Sequence, residues 1–358
     1  MDDRYQAYMG LWPKRIPHWE HWSCPDAESF ITGIDYFERP KLCRERMREL
    51  YPCLELPPIA DDTPKKRPDE AEEAGEGGHL VRWGDGHSWQ WDWGAQMKSA
   101  EDVFAFSPLA QADFSNIPVV ESRDYRDEET IYQGYRACYP AEWGDKAPEE
   151  SSVAVGFYNT MFMWPLLTFG WELFLETCLD QRFERIMDEF GEINRRVFRA
   201  FARLPVNFVI CHDDIVTSRG PVCSPRWMNQ YIFPRYEEFW SILKSGGKEV
   251  IFMADGCMDA YADDIFACGA RGIISEPYTD WRAIARKHEN CFIAGEGDNR
   301  ILTRNNPEEI RAMVEQMVET AKMTGGYMMC IGNHIPYDIP PSAIKLYLDL
   351  SAELAVRG

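Results

Sequence analysis

Apolar and polar positions follow two different regimes along this chain, and the change comes near residue 150. Upstream, the first 60 residues carry helical periodicity, broken by prolines and by the aromatic cluster IPHWEHW at 16–22. Residues 61–78, DDTPKKRPDEAEEAGEGG, hold almost no apolar positions and read as an exposed, mobile loop. In HLVRWGDGHSWQWDWG (79–94), alternation on either side of Gly-Asp-Gly predicts a hairpin. SAEDVFAF (99–106) opens on a Ser N-cap with an acidic first turn and predicts a short helix.

Downstream the pattern becomes a regular alternation of short apolar runs and amphipathic stretches. SVAVGFYNT (152–160) reads as a strand running into a loop, and 174–204 as one long amphipathic helix. The strand VNFVICHDD (206–214) is followed by a helix over 224–247 that stops at Gly-Gly. Strands EVIFMADG (249–256), GIISEP (272–277) and CFIAGEGD (291–298) each precede a helix, and YMMCIGNHIP (327–336) is the last strand before a closing helix at 340–354. Serial strand–helix units with short connections build a parallel sheet, because the crossover is right-handed. This many units predicts an α/β fold, a (β/α)8 TIM barrel with an elaborated N-terminal region. Residues 1–150 would supply the helical and hairpin elements and the first barrel units, and 151–358 the remaining units, within one domain. No Gly-x-Gly-x-x-Gly or P-loop follows any strand, which disfavours a nucleotide-binding doubly wound sheet.

Composition narrows the partners. The chain has 358 residues and a formal net charge of −21, which argues against nucleic acid or an anionic membrane surface. No apolar run reaches the roughly 18 residues of a membrane span and no apolar signal segment opens the sequence, so a cytoplasmic protein is expected. Eleven cysteines at irregular spacing point to reduced thiols rather than a disulfide framework, with Cys178 and Cys268 as small core residues. The 13 tryptophans and 16 tyrosines can fill a core or wall a flat ligand.

Chemistry in such a barrel belongs to the C-terminal strand tips. These read Tyr158-Asn159, His212-Asp213-Asp214, Asp255, Glu276, Glu296 with Asp298, and Asn333-His334. Carboxylates and imidazoles gathered from several strands suit a divalent ion such as zinc, and equally suit a general acid–base pair. Spacing alone does not separate the two uses.

At these residues the chain resembles the uroporphyrinogen decarboxylase superfamily, which includes corrinoid-dependent methyltransferases. The resemblance rests on HDDI followed by CSPRWMNQYIFPRY, on VIFMADGCMDAYADDIFACGARGI, on FIAGEGDNRIL and on GGYMMCIGNHIPYDIPPSAI, with weaker echoes in VRWGDG and KSAEDVFAF. It is strong after residue 200 and diffuse before it. It implies a (β/α)8 barrel with its site at the C-terminal mouth. Two departures separate branches. Where the decarboxylases carry an arginine-rich grip for a polycarboxylate, this chain reads YMGLWPKRIPHWEHW. Where the coenzyme M methyltransferases hold zinc through His-x-Cys and a late Cys, the matching positions are Met253, Asp255 and Asn333. Cys257 and Cys330 lie nearby as core or supporting residues.

The resemblance therefore implies the branch that moves a methyl group from a methyl ether to the Co(I) corrinoid of a partner protein, an anaerobic O-demethylase system acting on methoxylated aromatics. Zinc would be held by some of Asp255, Glu276, Glu296 and His334, with His212, Asp213 and Asp214 as catalytic groups orienting or protonating the leaving oxygen. Trp19, Trp22, Tyr158, Asn159 and Asn333 would bind the small-molecule methyl donor, with Trp89, Trp91 and Trp93 as further wall residues. The corrinoid (cobalamin) protein would dock transiently. The alternatives are a decarboxylase of a smaller substrate without metal and a non-catalytic relative that binds corrinoid or ligand.

Overall fold

The computed structural model describes residues 2–21, 24–65, 67, 80–82, 88–90, 97–115, 123–336 and 339–357. Among the described residues, apart from two short antiparallel hairpins, the strands in chain order are β1 (His18–Trp19), β2 (Leu54–Glu55), β3 (Ala154–Phe157), β4 (Phe208–His212), β5 (Glu249–Met253), β6 (Gly272–Ile274), β7 (Phe292–Ala294) and β8 (Gly326–Met328). Helices stand between them, and from β3 onward they include α1 (Met163–Thr177), α2 (Phe183–Arg203), α3 (Phe233–Ser245), α4 (Ala262–Cys268), α5 (Trp281–Lys287), α6 (Pro307–Ala321) and α7 (Pro341–Leu354). The alternation of parallel strand and helix read from the sequence is thus present, and the α/β class is borne out. The chain divides into two compact units: Met1–Tyr5 with Trp93–Ile273, and Gln6–Asp92 with Ile274–Gly358.

In the first unit β4 lies between β3 and β5, parallel to both, with Phe157 opposite Cys211 and His212 opposite Met253. The apolar run of β4 is buried because helices cover it. The longest is α2, whose buried positions Phe190, Ile193, Val197, Phe198 and Phe201 recur at three- and four-residue spacing. Aromatic rings fill the space between: Trp164 stacks on Phe190 with centroids 5.4 Å apart, and Tyr236 on Trp240 at 4.9 Å. Many of the aromatics are therefore core residues, each stabilising the fold by about 1.5–3 kcal/mol through burial.

Two helices break where continuous ones were expected. The stretch 174–204 divides into α1 and α2 at a turn over 178–182, where Asp180 Oδ1 accepts the Arg182 backbone N–H at 2.8 Å. The stretch 224–247 divides at Ile232, because Pro234 cannot donate the hydrogen bond that would continue the preceding helix, Pro225–Tyr231. The short helix and hairpin upstream form as expected: Ser99 caps Ala100–Ala105, and Leu80–Arg82 pairs antiparallel with Ser88–Gln90.

In the second unit β1 pairs parallel with β2, and His18 bridges Met329 in parallel just beyond β8, which itself pairs parallel with β7. The IPHWEHW cluster is what binds this edge. The His18 ring lies 2.6 Å from a Glu20 oxygen, and Tyr347 on α7 donates to the same oxygen at 2.6 Å. Glu20 also receives the Ile331 N–H, so a carboxylate only 3% exposed is fully engaged.

One contact ties the strand tip of β4 to the helix layer. Asp213 is 0% exposed, and its carboxylate accepts the backbone N–H groups of Met161 and Phe162 at 2.7 Å and of Met163 at 2.6 Å. Tyr236 adds its hydroxyl at 2.6 Å. The unpaired N–H groups at the start of a helix need acceptors, and a carboxylate also complements the positive end of the helix dipole. Asp213, read from sequence as catalytic, is an anchor with every oxygen occupied. Burial pushes its carboxyl up to about 7, against the four donors that hold it ionised. Replacing it with asparagine removes acceptor capacity that no water can supply. Asp213→Asn is expected to lose about 2–4 kcal/mol of stability in urea denaturation and Tyr236→Phe about 1 kcal/mol; equal, near-zero losses would contradict the anchor.

Candidate functional site

Side chains on either side of the anchor point the other way. His212 and Asp214 flank Asp213, and strand alternation sends them to the face opposite the helix layer. Asp214 Oδ1 lies 2.9 Å from His212 Nε2 and accepts the backbone N–H of Asp255 at 2.8 Å. Asp255 follows β5, whose pairing with β4 puts the two tips side by side. The turn after Asp255 is closed by Gly256 at φ +130°, where a Cβ would sit 2.6 Å from the Thr217 backbone, so only glycine fits. His212, Asp214 and Asp255 each bring one ligand-capable atom to within 4.8 Å of the others, forming the single such group among the described residues.

Tyr158, at the tip of β3, completes this site. Its ring packs edge-on against His212 with centroids 4.1 Å apart, and its hydroxyl hydrogen-bonds to Asp214. Burial and the carboxylates of Asp214 and Asp255 hold the Tyr158 phenol well above its ordinary pKa, so it stays a donor. Burial works against the charged form of His212, but Asp214 and then Asp255 outweigh it, and the imidazole titrates above its usual value. Burial likewise works against ionised Asp214, yet the adjacent His212 holds it below the usual carboxylate range. The pair is a half-buried ion pair, with side chains 14% and 18% exposed.

The donor set of one imidazole nitrogen and two carboxylate oxygens is one zinc accepts, with a fourth position left over for water or substrate. Ligand atoms around a tetrahedral zinc stand about 3.4 Å apart, so the 2.9 Å His212–Asp214 contact opens by a few tenths of an ångström to admit one. The residues fit the group. Asp255, expected as a metal ligand, thus shares one group with His212 and Asp214, expected as catalytic.

The remaining expected residues are distributed differently. Glu296 lies in the second unit facing helix α6: Gln316 and Thr320 donate to one oxygen at 3.1 and 2.9 Å, and Tyr327 to the other at 2.7 Å. Its carboxylate is thereby committed to the helix layer, which corrects its reading as a strand-tip metal ligand. Asn333, exposed and at φ +70°, donates to Glu276 Oε1 at 3.2 Å and accepts the His334 N–H at 2.7 Å. The His334 ring is 6% exposed and sits 4.1 Å from the ring of His21, which in turn stacks on Trp19. Neither Glu276 nor His334 belongs to the three-residue group. Asn159 is 0% exposed, its carbonyl bound by Asn194 at 3.3 Å, so it sits in the core rather than on a substrate surface. Trp22, Trp91 and Trp93 lie outside the described residues. Cys330 is buried with its thiol on the Ile331 carbonyl at 2.9 Å, a core residue. The association of His21 with His334 was missed, since a histidine in a proline-rich N-terminal segment gives no hint of the strand end it meets.

The profile of the uroporphyrinogen decarboxylase (URO-D) family matches residues 173–354. The chain belongs to that family. Among solved structures it is similar to a methyltransferase from Methanosarcina mazei, at 15% identity and TM-score 0.53, over 95% of this chain and 94% of that one. An identity that low shows a shared fold and nothing finer. A D-psicose 3-epimerase from Clostridium cellulolyticum H10, solved with D-tagatose, is similar at 9% identity and TM-score 0.35 over 64% and 85% of the two chains, too little to carry an argument. No curated protein matches the sequence.

The ion pair fixes a pH window for the metal-free protein. His212, raised in the folded state, contributes stability that is complete below its unfolded pKa of about 6.5 and is lost as pH rises through the folded value. Asp214, lowered, contributes stability that is complete above about 3.9 and is lost as pH falls through its folded value. The pair's contribution is therefore greatest between roughly pH 4 and 6.5. Stability measured against pH in the presence of chelator should show this excess in the wild type and not in Asp214→Asn; identical curves would contradict the pair.

Proposed function

We propose that this protein is a methyltransferase that takes the methyl group of a methoxylated aromatic and gives it to the Co(I) corrinoid of a partner protein, on a closed (β/α)8 barrel. The observation that carries this reading is the convergence of His212, Asp214 and Asp255, with Tyr158 bonded to Asp214. Family membership and the fold shared with a methyltransferase support it.

In the transfer the methyl carbon leaves oxygen without the bonding pair. The acceptor supplies the new pair, and the ether oxygen departs as a phenolate. That departing charge is the chemical obstacle. Zinc bound by His212, Asp214 and Asp255 would supply a Lewis acid for that oxygen. Tyr158 contributes a hydroxyl kept protonated by its surroundings and placed beside the same group, and Asp214 fixes its direction. Asp213 fixes the residue between His212, the last of β4, and Asp214 just beyond it. The edge-on packing of Tyr158 on His212 restricts the imidazole to one orientation. A polycarboxylate substrate suits this site poorly, since its two aspartates stand in a chain of net charge −21.

A protein acceptor needs a docking face. Trp171, Leu175 and Leu179 are 46%, 54% and 83% exposed at four-residue spacing beside Glu172 and Glu176, which fits a carrier that presents an apolar patch bordered by Lys or Arg. The Phe174 ring beneath them packs 5.4 Å from Phe162, whose N–H is held by Asp213.

The test is spectroscopic. Zinc-loaded protein, reduced corrinoid and a panel of methoxylated aromatics are mixed under anaerobic conditions, and the Co(I) absorbance is followed. The expected result is its loss with formation of the methylated corrinoid, slowed about 100-fold or more in Asp255→Asn and less in Tyr158→Phe. No spectral change with any methyl ether, or an Asp255→Asn variant as fast as the wild type, would overturn the reading.

A further inference from the structure

The three-residue group reaches past the end of the sheet. The ladder between β4 and β5 closes on His212 opposite Met253, and the Asp213 N–H on the Met253 carbonyl at 2.9 Å is its last rung. Asp214 and Asp255 stand beyond that rung, where ladder hydrogen bonds no longer set the distance between the two segments. The Asp255 N–H does reach Asp214 Oδ1 at 2.8 Å. That carboxylate is itself a candidate ligand, so the bond is no independent spacer.

The chain after Asp214 supplies other ties. It folds at once into a hairpin in which Val216 pairs with Pro221 and Thr217 with Gly220. The Val222 N–H on the Ile215 carbonyl at 3.1 Å closes its base. The Thr217 carbonyl accepts the Cys257 N–H at 2.9 Å, two residues past Asp255. Gly256, between them, lies so close to the Thr217 main chain that no side chain fits. Further along, the hydroxyl of Tyr261, a residue 1% exposed, donates to the Cys223 carbonyl at 2.7 Å. Residues 215–223 and 255–261 are thus fastened together at Thr217 and again at Cys223.

A ladder of two residue pairs is marginal in water by itself. The Thr217 hydroxyl reinforces it across the turn, donating to the Gly220 carbonyl at 3.1 Å and accepting the Arg219 N–H at 3.2 Å. Thr217 is exposed and outside the three-residue group, so its influence on Asp255 runs through its main chain.

We propose that this hairpin is a clasp that sets the position of Asp255 against His212 and Asp214, with Thr217 as its positioning residue. The inference rests on the reading of those three residues as metal ligands and adds what holds them at ligand spacing. Loss of a contact that orients a ligand weakens metal binding by about 10–100-fold.

The test titrates the full-length chain with cobalt(II), a spectroscopic substitute for zinc, and follows its visible absorption. Thr217→Val keeps the β-branched shape and removes the hydroxyl. It is expected to weaken cobalt binding about tenfold and to alter the cobalt bands, with the melting temperature unchanged. Thr217→Ser, which keeps a hydroxyl, is expected to retain both affinity and spectrum. Tyr261→Phe, which removes the second tie and keeps the ring, should weaken binding as well. Ser218→Ala, on the same hairpin but outside the ties, should leave it unchanged. Wild-type affinity and spectrum in Thr217→Val or in Tyr261→Phe overturn the proposal. So does a Thr217→Ser variant as impaired as Thr217→Val, or equal weakening in Ser218→Ala. A wild type that binds no cobalt overturns the ligand reading and the clasp with it, an outcome distinct from a bound cobalt that ignores Thr217.

Discussion

A carboxylate with four donors organises the first of the two units. Asp213 closes the start of α1 with three backbone N–H bonds and takes the Tyr236 hydroxyl from α3, so one side chain joins a strand tip to two helices. Burying such a charge is costly unless its hydrogen bonds are complete, and here they are. The consequence is positional. With Asp213 held in the helix layer, alternation leaves His212 and Asp214 no choice but the opposite face, where Asp255 and Tyr158 meet them. Structural and chemical roles are divided among three consecutive residues by the period of a strand.

The second unit shows the same economy with different chemistry. There Glu20 joins β1 to the end of β8 and to Tyr347 on α7, again with its oxygens fully used. Acidic side chains in this protein fall into two kinds. Asp213, Glu20 and Glu296 are saturated by donors and serve the fold, whereas Asp214 and Asp255 meet beside an imidazole. The sign of the pKa shift follows the surroundings: burial outweighs the hydrogen-bond donors for Asp213 and Glu296, and for Glu296 the Arg282 charge as well, while a neighbouring imidazole dominates for Asp214.

Most of the parallel architecture was legible because strand and helix periods alternate so regularly after residue 150, and residues such as VNFVIC and EVIFM leave little choice of element. Helix ends were less legible. The break at 178–182 depends on Asp180 turning back on Arg182, and the break at Ile232 on one proline within an otherwise helical pattern. The site was legible as a set of strand tips but not as an arrangement. The sequence of His212-Asp213-Asp214 shows three polar residues; only packing reveals that the middle one faces the helices. Glu296 is misleading for the same reason, since its partners Gln316, Thr320 and Tyr327 lie 20 to 31 residues away.

We propose that zinc would be held by the nitrogen and oxygen ligands of His212, Asp214 and Asp255. Zinc-edge X-ray absorption of the stoichiometrically loaded protein tests it most directly. The account predicts a first shell of nitrogen and oxygen near about 2.0–2.1 Å with one imidazole and no sulfur, and loss of bound zinc in Asp255→Asn. A sulfur shell near about 2.3 Å, which would bring in Cys257 or another thiol, or a spectrum unchanged in Asp255→Asn, would contradict it.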